Sequence, residues 1–398
     1  MKASPKKNNL ILESLEPRRL LSGIWQGVDV DGDAVIIKLS GPGEFLVYTE
    51  EQGLGERIDT IELYDTAPGS RLKVIARPTG GDGYVDVDAI DATNLDLRQI
   101  VVDGNLGDLI ANSVQKVVVF HAARSDGSEA QWLINSSVRQ IRANGSLDFV
   151  NMEIAGGLNT LVVRGDLAAA TLTIDGQLRK LVVFGDIADQ SDIYTTGDLR
   201  IVKVFGYLDN STIETEGLLQ VLYVGLDVFD SSVYADYGIT KVVIDGGMEN
   251  SFIGTAGRLH IFDAWDWVIS SEIVAGPQGI TKFLAYDLSD TAVSTTGNIR
   301  VFYLDAQARY DRWDNIIVEV DDGWYWPVYD VEYLDYVYED NYYNYYYVDD
   351  YYDNYYYDAY YDDYYYGDYY YEDIYYDDYV TVIDSYPSYG SWYIDVFW

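Results

Sequence analysis

Hydrophobic residues recur along the middle of the chain with a period of about 20 residues. In the stretch that begins LNTLVV, apolar side chains occupy repeat positions 1, 4, 6, 10 and about 15. The clearest repeat starts are Val138, Leu158, Leu178, Leu199, Leu219, Ile239, Leu259, Ile280 and Ile299. Leu97 and Val114 extend the series toward the N terminus. The middle of the chain is therefore a tandem repeat.

The repeat predicts β-structure. Positions 4 and 6 alternate with the two-residue period of a strand, and β-branched residues are common there. Glycines follow this strand as predicted corners: Gly165, Gly185, Gly206 and Gly246. Helical repeats are longer, at about 33–47 residues, and leucine-rich repeats have an Asn position and a helical segment that this sequence lacks. The pattern predicts an all-β protein whose repeats form a β-solenoid (β-helix), with coils about 4.8 Å apart.

The solenoid is predicted over residues 97–308, with further segments on either side. Sheet edges at its ends would promote aggregation unless they were covered. Residues 24–96 predict an N-terminal β cap, with strands before and after Gly41-Pro42-Gly43 and in IDTIELYD and GYVDVDAID. Residues 309–335, which include NIIVEV at 315–320, predict a C-terminal cap. Segment 121–137 is interpreted as an insertion that lengthens one coil.

Residues 336–398 form a low-complexity tail rich in tyrosine and aspartate. From Gly323 onward the chain holds 29 of the 40 tyrosines and 18 acidic residues, and the last basic residue is Arg312. Acidic positions recur about every five residues, which fits neither a strand nor a helix. The composition predicts an extended, self-associating segment without a unique fold, with a set of ordered strands as the alternative. The predicted interaction residues are Asp362, Asp363, Tyr364, Tyr365, Tyr366, Tyr369, Tyr370 and Tyr371.

The net charge narrows the range of partners. The chain has 26 basic and 66 acidic residues, a formal charge of −40. Nucleic acid is a poor partner because binding phosphates requires basic side chains. Cations, including divalent cations, basic proteins and mineral surfaces are the electrostatically favourable partners. The sequence has no cysteine and no apolar stretch long enough for a transmembrane helix.

The first residues resemble a known signature. LEPRRLLS at 15–22 is similar to the LEPR-x-LL-S signature near the start of many large surface and secreted planctomycete proteins. DVDGDAVIIKLSGPGEF at 29–45 and LRQIVVDGNLGDLIA at 97–111 are similar to segments that follow it. The resemblance implies export to the cell surface or exterior, with residues 1–23 as the export or surface signature segment. It points to no established activity. The alternative is that this segment is an amphipathic start that caps the fold.

Asp29, Asp31 and Asp33 are weak candidates for calcium ligands. Oxygen ligands at every second residue suit calcium, as at the start of an EF-hand loop. The match then ends, because Ala34 and Ser40 stand where that loop needs glycine and glutamate. A polar hairpin is therefore the preferred interpretation. The alternating carboxylates Asp86, Asp88 and Asp91 are interpreted as the solvent-facing side of a strand, with calcium as the less favoured alternative.

Catalytic residues are hard to identify. Asp166 and Asp186 occupy the same repeat position and could lie about 5 Å apart in adjacent coils. Paired carboxylates are the machinery of glycoside hydrolysis, but aspartates beside glycine usually serve a turn. His121 and His260 have no metal ligand at suitable spacing and are interpreted as incidental.

Two classes of function remain. The first is a non-enzymatic structural or adhesive protein of the surface or exterior, in which the solenoid displays the acidic tyrosine-rich tail. Its expected partners are other copies of the chain, matrix or glycan. The second is a solenoid that binds or cleaves polysaccharide, with Trp265, Trp267 and neighbouring carboxylates as its sugar site. No catalytic or cofactor residue is assigned, and calcium is the one cofactor considered.

Overall fold

The computed structural model describes residues 18–21, 23–124, 127–304 and 317–320. In these residues the strands stack into a β-solenoid of about 11 turns of about 20 residues, and the predicted all-β class is confirmed. Among the residues described, no helix is long and apolar enough to cross a membrane. The tail at 336–398, with its eight predicted interaction residues, lies outside the described residues.

Each typical coil contains three strands, which we call its first, second and third strands. In one coil they are Leu158–Val163, Leu167–Ala168 and Thr171–Ile174. Each strand pairs in parallel with its equivalent in the next coil, so that Leu158 lies opposite Leu178. Stacked equivalents therefore build three columns, each a continuous parallel ladder.

The first strands are Val138–Ala143, Leu158–Val163, Leu178–Val183, Leu199–Val204, Leu218–Val224, Gly238–Ile244, Arg258–Ile269, Ile280–Ser289 and Ile299–Leu304, of which Arg258–Ile269 and Ile280–Ser289 continue into the second column. The second strands are His121–Ala122, Leu147–Asp148, Leu167–Ala168, Ile187–Ala188, Leu208–Asp209, Val228–Phe229 and Met248–Glu249. The third strands are Ala130–Ile134, Val150–Ile154, Thr171–Ile174, Asp192–Thr195, Thr212–Thr215, Ser232–Ala235, Phe252–Thr255, Glu272–Ala275, Ala292–Thr295 and Ile317–Val320.

The predicted inward positions form the core. In the coil that starts at Leu219, positions 1, 4, 6, 10 and 15 are Leu219, Leu222, Val224, Val228 and Val233, and each is fully buried. Each lies in register with its equivalents in the neighbouring coils, so like side chains stack on one another. Burying one such side chain contributes about 1.5–3 kcal/mol. The inward positions are confirmed.

The hydrophobic pattern misses a further inward position, because several coils place threonine there. Thr215 is buried, its hydroxyl donates to the carbonyl of Gly197 at 2.6 Å, and it accepts the N–H of Gly217 at 3.0 Å. These bonds meet the hydrogen-bonding requirement of a buried hydroxyl. Equivalent buried threonines are Thr195, Thr255 and Thr295.

The predicted glycine corners are explained by close approach between coils. A Cβ at Gly185 would lie 1.9 Å from Oδ1 of Asp166, and one at Gly206 would lie 2.0 Å from Oδ1 of Asp186. Both contacts are impossible for a real carbon atom. The left-handed conformation falls elsewhere, between the second and third strands, where Asn210, for example, has φ 45°.

Six strands precede the long strand Val85–Val102. They are Arg18–Leu21, Ile24–Val28, Ala34–Ser40, Glu44–Gln52, Gly55–Tyr64 and Arg71–Arg77. The strands on either side of residues 41–43 form as predicted but do not pair with each other. Ala34–Ser40 pairs with Ile24–Val28 and Arg71–Arg77. Glu44–Gln52 pairs with Arg18–Leu21 and Gly55–Tyr64. The pattern did not predict Arg71–Arg77.

The cap is continuous with the solenoid. Ile58 pairs in parallel with Val87, and Leu72 pairs in parallel with Ile100. Val85–Val102 in turn pairs in parallel with Gly104–Val119, which continues into the regular coils. Parallel stacking thus begins upstream of residue 97. The strand predicted within 315–320 extends the third column, because Ile317–Val320 pairs in parallel with Ala292–Thr295.

The segment at 121–137 supplies the second and third strands of its coil. His121–Ala122 and Ala130–Ile134 both pair in parallel with the strand Gly104–Val119. Trp132 is fully buried, and its indole N–H donates to the carbonyl of Gly107 at 2.7 Å. The extra length of this coil therefore lies in the connection between its two strands.

Candidate functional site

The two aspartates considered for catalysis link adjacent coils. Oδ1 of Asp166 accepts the N–H of Asp186 at 2.9 Å, and Oδ1 of Asp186 accepts the N–H of Tyr207 at 2.8 Å. Asp227 repeats this contact with the N–H of Gly247 at 2.7 Å. These carboxylates hold the backbone of the next coil, in agreement with the predicted turn role.

Both histidines also contact their neighbouring coils. Nδ1 of His121 accepts the N–H of Ser146 at 2.8 Å, and Nδ1 of His260 lies 2.8 Å from the hydroxyl of Thr281. Burial lowers the pKa of His260, as do the charges of Arg258 and Arg300. Each ring therefore binds the next coil along.

A column of buried hydroxyls follows the corner between the second and third strands. The N–H of Ser231 donates to Oγ of Ser251 at 3.1 Å, and that hydroxyl donates to the carbonyl of Glu249 at 2.7 Å. The same arrangement repeats along Ser211, Ser231, Ser251, Ser271 and Thr291. From Ser231 onward, each hydroxyl thus fixes the corner of its own coil and the backbone of the preceding one.

The residue before each hydroxyl adopts a left-handed backbone and is mostly exposed. Non-glycine residues with positive φ at this corner are Phe149, Ala169, Asp189, Gln190, Asn210, Asp230, Asn250, Ser270 and Asp290. Asn and Asp tolerate this conformation better than most residues. A sequence signal was present, since Asn, Asp or Ser precedes Ser or Thr at 20-residue intervals in five coils, from Asn210-Ser211 to Asp290-Thr291.

These polar residues line a shallow groove along the corner. Two depressions of about 470 Å³ and 310 Å³ share Asp230 and Ser232. The larger is also bordered by Phe252, whose ring stacks with that of Tyr234 at a centroid distance of 6.5 Å. We call this feature the corner groove, meaning the surface of residues 190–192, 210–212, 230–232, 250–252, 270–272, 290 and 292.

A row of aromatic rings lies on the second column beside the corner groove. The ring of Phe229 is 6.1 Å from that of Tyr207 and 5.9 Å from that of Trp267, between centroids. One coil lies between the coils of Phe229 and Trp267. It has Gly247 at the equivalent position, and the Trp267 indole occupies the space that a side chain there would fill, since a Cβ at Gly247 would lie 2.4 Å from the ring. The row is therefore a ridge three rings long, with Tyr207 38% exposed.

The two tryptophans predicted to form a sugar site have different surroundings. Trp267 belongs to the aromatic row, whereas Trp265 is 47% exposed and hydrogen-bonds the carboxylate of Asp263. Carboxylates do lie near the row. Burial raises the pKa of Asp209, and the charge of Asp230 raises it further. Asp209 stands in the same column as the rings, in register with Phe229, so a ligand that follows the row would meet both aromatic faces and an acidic group.

The structure brings the three calcium candidates together. One oxygen from each of Asp29, Asp31 and Asp33 can be chosen so that all three lie within 4.8 Å of one another. Their loop joins the strands Ile24–Val28 and Ala34–Ser40. The predicted polar hairpin is thus present, and its carboxylates converge.

The three carboxylates differ in their environments. Asp33 accepts the backbone N–H groups of residues 79, 80, 81 and 83 at 2.6–3.0 Å, which lowers its pKa to about 2. Burial raises the pKa of Asp29 to about 6, with a contribution from Asp31. The neighbouring Asp29 carboxyl and the N–H of Asp82 lower the pKa of Asp31. Asp33 therefore anchors the loop at 79–83.

The other aspartates of this region, Asp86, Asp88 and Asp91, lie on the outward side of their strand as predicted, and all three are half-buried. The Asp91 carboxylate accepts the N–H of Thr93, in the same strand, at 2.9 Å. Asp88 lies 3.3 Å from Nε of Arg57. Burial raises the pKa of Asp86, whose Oδ1 accepts the side-chain N–H of Asn105 at 2.6 Å.

Comparisons of the chain with protein families, with curated proteins and with solved structures found no match.

Proposed function

We propose that the chain is a non-enzymatic structural and adhesive protein of the cell surface or exterior. The observation that carries this proposal is the use of polar side chains at the coil corners. Asp166, Asp186 and Asp227 each accept a backbone N–H of the following coil. Along another corner, buried serine hydroxyls accept a backbone N–H of the preceding coil. These groups, which an enzyme could use for proton transfer, stabilise the stack in this chain.

Such a stack suits a mechanical role. Backbone hydrogen bonds join neighbouring coils in three columns, and the corner side chains add further bonds. In a solenoid each repeat contacts only its neighbours, so stiffness depends on these interfaces. A solenoid built this way presents the same surface many times.

The adhesive part of the proposal rests on the tail and on charge. The eight interaction residues at 362–371 combine two carboxylates with six phenols, a composition that favours association with other copies, with matrix or through divalent cations. Beads coated with the full chain should cluster, and beads coated with a chain whose six tyrosines among these residues are serine should not. Equal dispersal of both would overturn the adhesive role.

We propose a surface or extracellular location because of the LEPRRLLS segment. Part of that segment, Arg18–Leu21, pairs with the cap strand Glu44–Gln52. The protein should be removed when intact cells are treated with protease. Full protection, with the protein recovered from the cytoplasmic fraction, would contradict the location.

Glycan binding is the second candidate, and the aromatic row favours it. Sugar rings stack on flat aromatic faces, and Tyr207, Phe229 and Trp267 present such faces beside the corner groove. A glycan array should identify the ligand, and Trp267→Ala should then weaken binding about tenfold, the equivalent of about 1.4 kcal/mol. Phe184→Ala is the matched control, because Phe184 stacks with Phe205 in the first column.

One assay separates the two candidates from an enzyme. The full chain is incubated with each polysaccharide that the array identifies, and newly formed reducing ends are measured. A structural or binding protein releases none. Release of reducing ends that disappears in Asp166→Asn would show that the corner carboxylates do chemistry, and would overturn the proposal.

A further inference from the structure

Asp29 has one carboxylate oxygen without a partner in a buried place. Its Oδ1 accepts the N–H groups of Gly32 at 3.1 Å and Asp33 at 2.7 Å. Its Oδ2 is buried and has no hydrogen-bond partner, and the residue is only 4% exposed. An unsatisfied buried oxygen of this kind is costly and calls for an explanation.

Asp31 presents a second such oxygen in the same cluster. Its Oδ2 accepts the N–H of Asp82 at 2.9 Å, while its Oδ1 is buried without a hydrogen-bond partner. Ionised carboxylates can only accept hydrogen bonds, so oxygens of Asp29 and Asp31 cannot satisfy each other. Either a shared proton or a cation has to lie between them.

The surroundings favour a cation. Asp31, Asp82 and Asp88 all lie close enough to Asp86 for their negative charges to act on its carboxylate. The backbone of the loop at 79–83 packs tightly on the cluster, since a Cβ at Gly81 would lie 2.2 Å from the Asp31 carboxylate. A proton neutralises one of these charges, whereas a divalent ion neutralises two.

We propose that Asp29 and Asp31 bind a calcium ion, with Asp33 beside them adding charge and holding the loop at 79–83. Calcium binds carboxylate oxygens at about 2.3–2.6 Å, so ligands on opposite sides of the ion are about 5 Å apart. The three-carboxylate cluster, within 4.8 Å, has this size. Water completes the coordination. The ion ties the loop at 79–83 to the first hairpin and so stabilises the cap.

Hydrogen–deuterium exchange of the full chain, read by mass spectrometry, tests the site locally. This readout is required because the acidic tail also attracts calcium. After removal of metal with a chelator, calcium should slow exchange at residues 79–83 about tenfold once it reaches about ten times its dissociation constant. Magnesium at the same concentration should slow it less, because it binds best in a smaller octahedral site.

Two variants and one control complete the design. Asp29→Asn and Asp31→Asn each provide an amide oxygen that can still accept the backbone N–H groups, but they remove the negative charge of the ligand. Each should therefore abolish the calcium effect. The double variant Asp362→Asn, Asp363→Asn should retain it. Unchanged exchange at residues 178–204 shows that each variant is folded.

The proposal is overturned by any of three results. The first is no effect of calcium on residues 79–83 in the native chain, which would leave a shared proton between Asp29 and Asp31. The second is an undiminished effect in both single variants. The third is equal slowing by magnesium, which would overturn the assignment to calcium.

Discussion

The backbone N–H of Ser231 donates to the hydroxyl of Ser251, one coil further along, at 3.1 Å. Because Ser251 is buried and its hydroxyl donates onward to Glu249, both coils depend on this one oxygen. The contact repeats down the corner groove, so the surface that the groove presents is fixed by hydrogen bonds beneath it.

Ser251→Ala should therefore destabilise the solenoid by about 1–3 kcal/mol, because it leaves the N–H of Ser231 buried and without an acceptor. Chemical denaturation followed by circular dichroism measures the change. Ser232→Ala is the matched control, since Ser232 is half-buried and occupies an outward-facing position at the start of the strand Ser232–Ala235. Equal stability of the two variants would show that the buried hydroxyl contributes nothing.

Val224→Asp should cost several kcal/mol, because it buries an unpaired charge between two coils. Val224 is fully buried and lies in register with Val204 and Ile244. Val221→Asp, on the outward side of the same strand and opposite Lys241, should be far less damaging. Thermal unfolding compares them, and a Val224→Asp protein as stable as Val221→Asp would contradict the stacked core.

The fold could be predicted because the signal is local and repeated. Alternation at positions such as Leu222 and Val224 follows from the pleat of a strand, and eleven copies reinforce it. Thr215 was missed because a polar residue at an inward position breaks the alternation. Its burial is tolerated only because Gly197 and Gly217 supply partners that one repeat cannot reveal.

The cluster at Asp29 could be predicted only in part. Its spacing suggests oxygen ligands, but the departure from the EF-hand pattern argued for a plain hairpin. What makes the site is the loop at 79–83, whose N–H groups bind Asp33 across 46–50 residues of sequence. That packing depends on the antiparallel pairing of Ala34–Ser40 with Arg71–Arg77, and Arg71–Arg77 was not predicted.

Asp263→Asn should stabilise the protein at pH 7. Burial raises the pKa of Asp263 above the ordinary 3.8, although Lys241 and Lys282 oppose this effect. Its ionised form thus disfavours folding, and this cost disappears as the pH falls through the raised pKa toward 3.8. A tenfold difference in proton affinity between the folded and unfolded chains is equivalent to about 1.4 kcal/mol of stability.

Melting temperatures from pH 7 down to pH 3 test this. The gain in melting temperature of Asp263→Asn over the native chain should be largest at neutral pH and should vanish near pH 3.8, the ordinary pKa of an aspartate. Asp236→Asn, at an exposed position, corrects for the change in net charge. A variant less stable than the native chain at pH 7 would mean that the lysines outweigh burial.

The tail should assemble when its carboxylates are neutralised. In an extended chain, carboxylates about 7 Å apart repel by about 0.6 kcal/mol in water, and salt at about 0.15 M, with a screening length of about 8 Å, more than halves this. Aromatic pairs contribute about 0.5–1.5 kcal/mol each. Attraction and repulsion are thus comparable, and tyrosine, with a pKa near 10, stays neutral throughout.

A peptide of residues 328–390 should therefore scatter light strongly near pH 4 or in millimolar calcium and remain monomeric at pH 7 without it. Replacing its tyrosines with serine should abolish assembly while leaving every carboxylate in place, which separates aromatic attraction from simple charge neutralisation. A native peptide that stays monomeric at pH 4 and in calcium would show that the tail does not mediate adhesion. The adhesive surface would then have to be the solenoid itself, and the aromatic row beside the corner groove would be the first place to test.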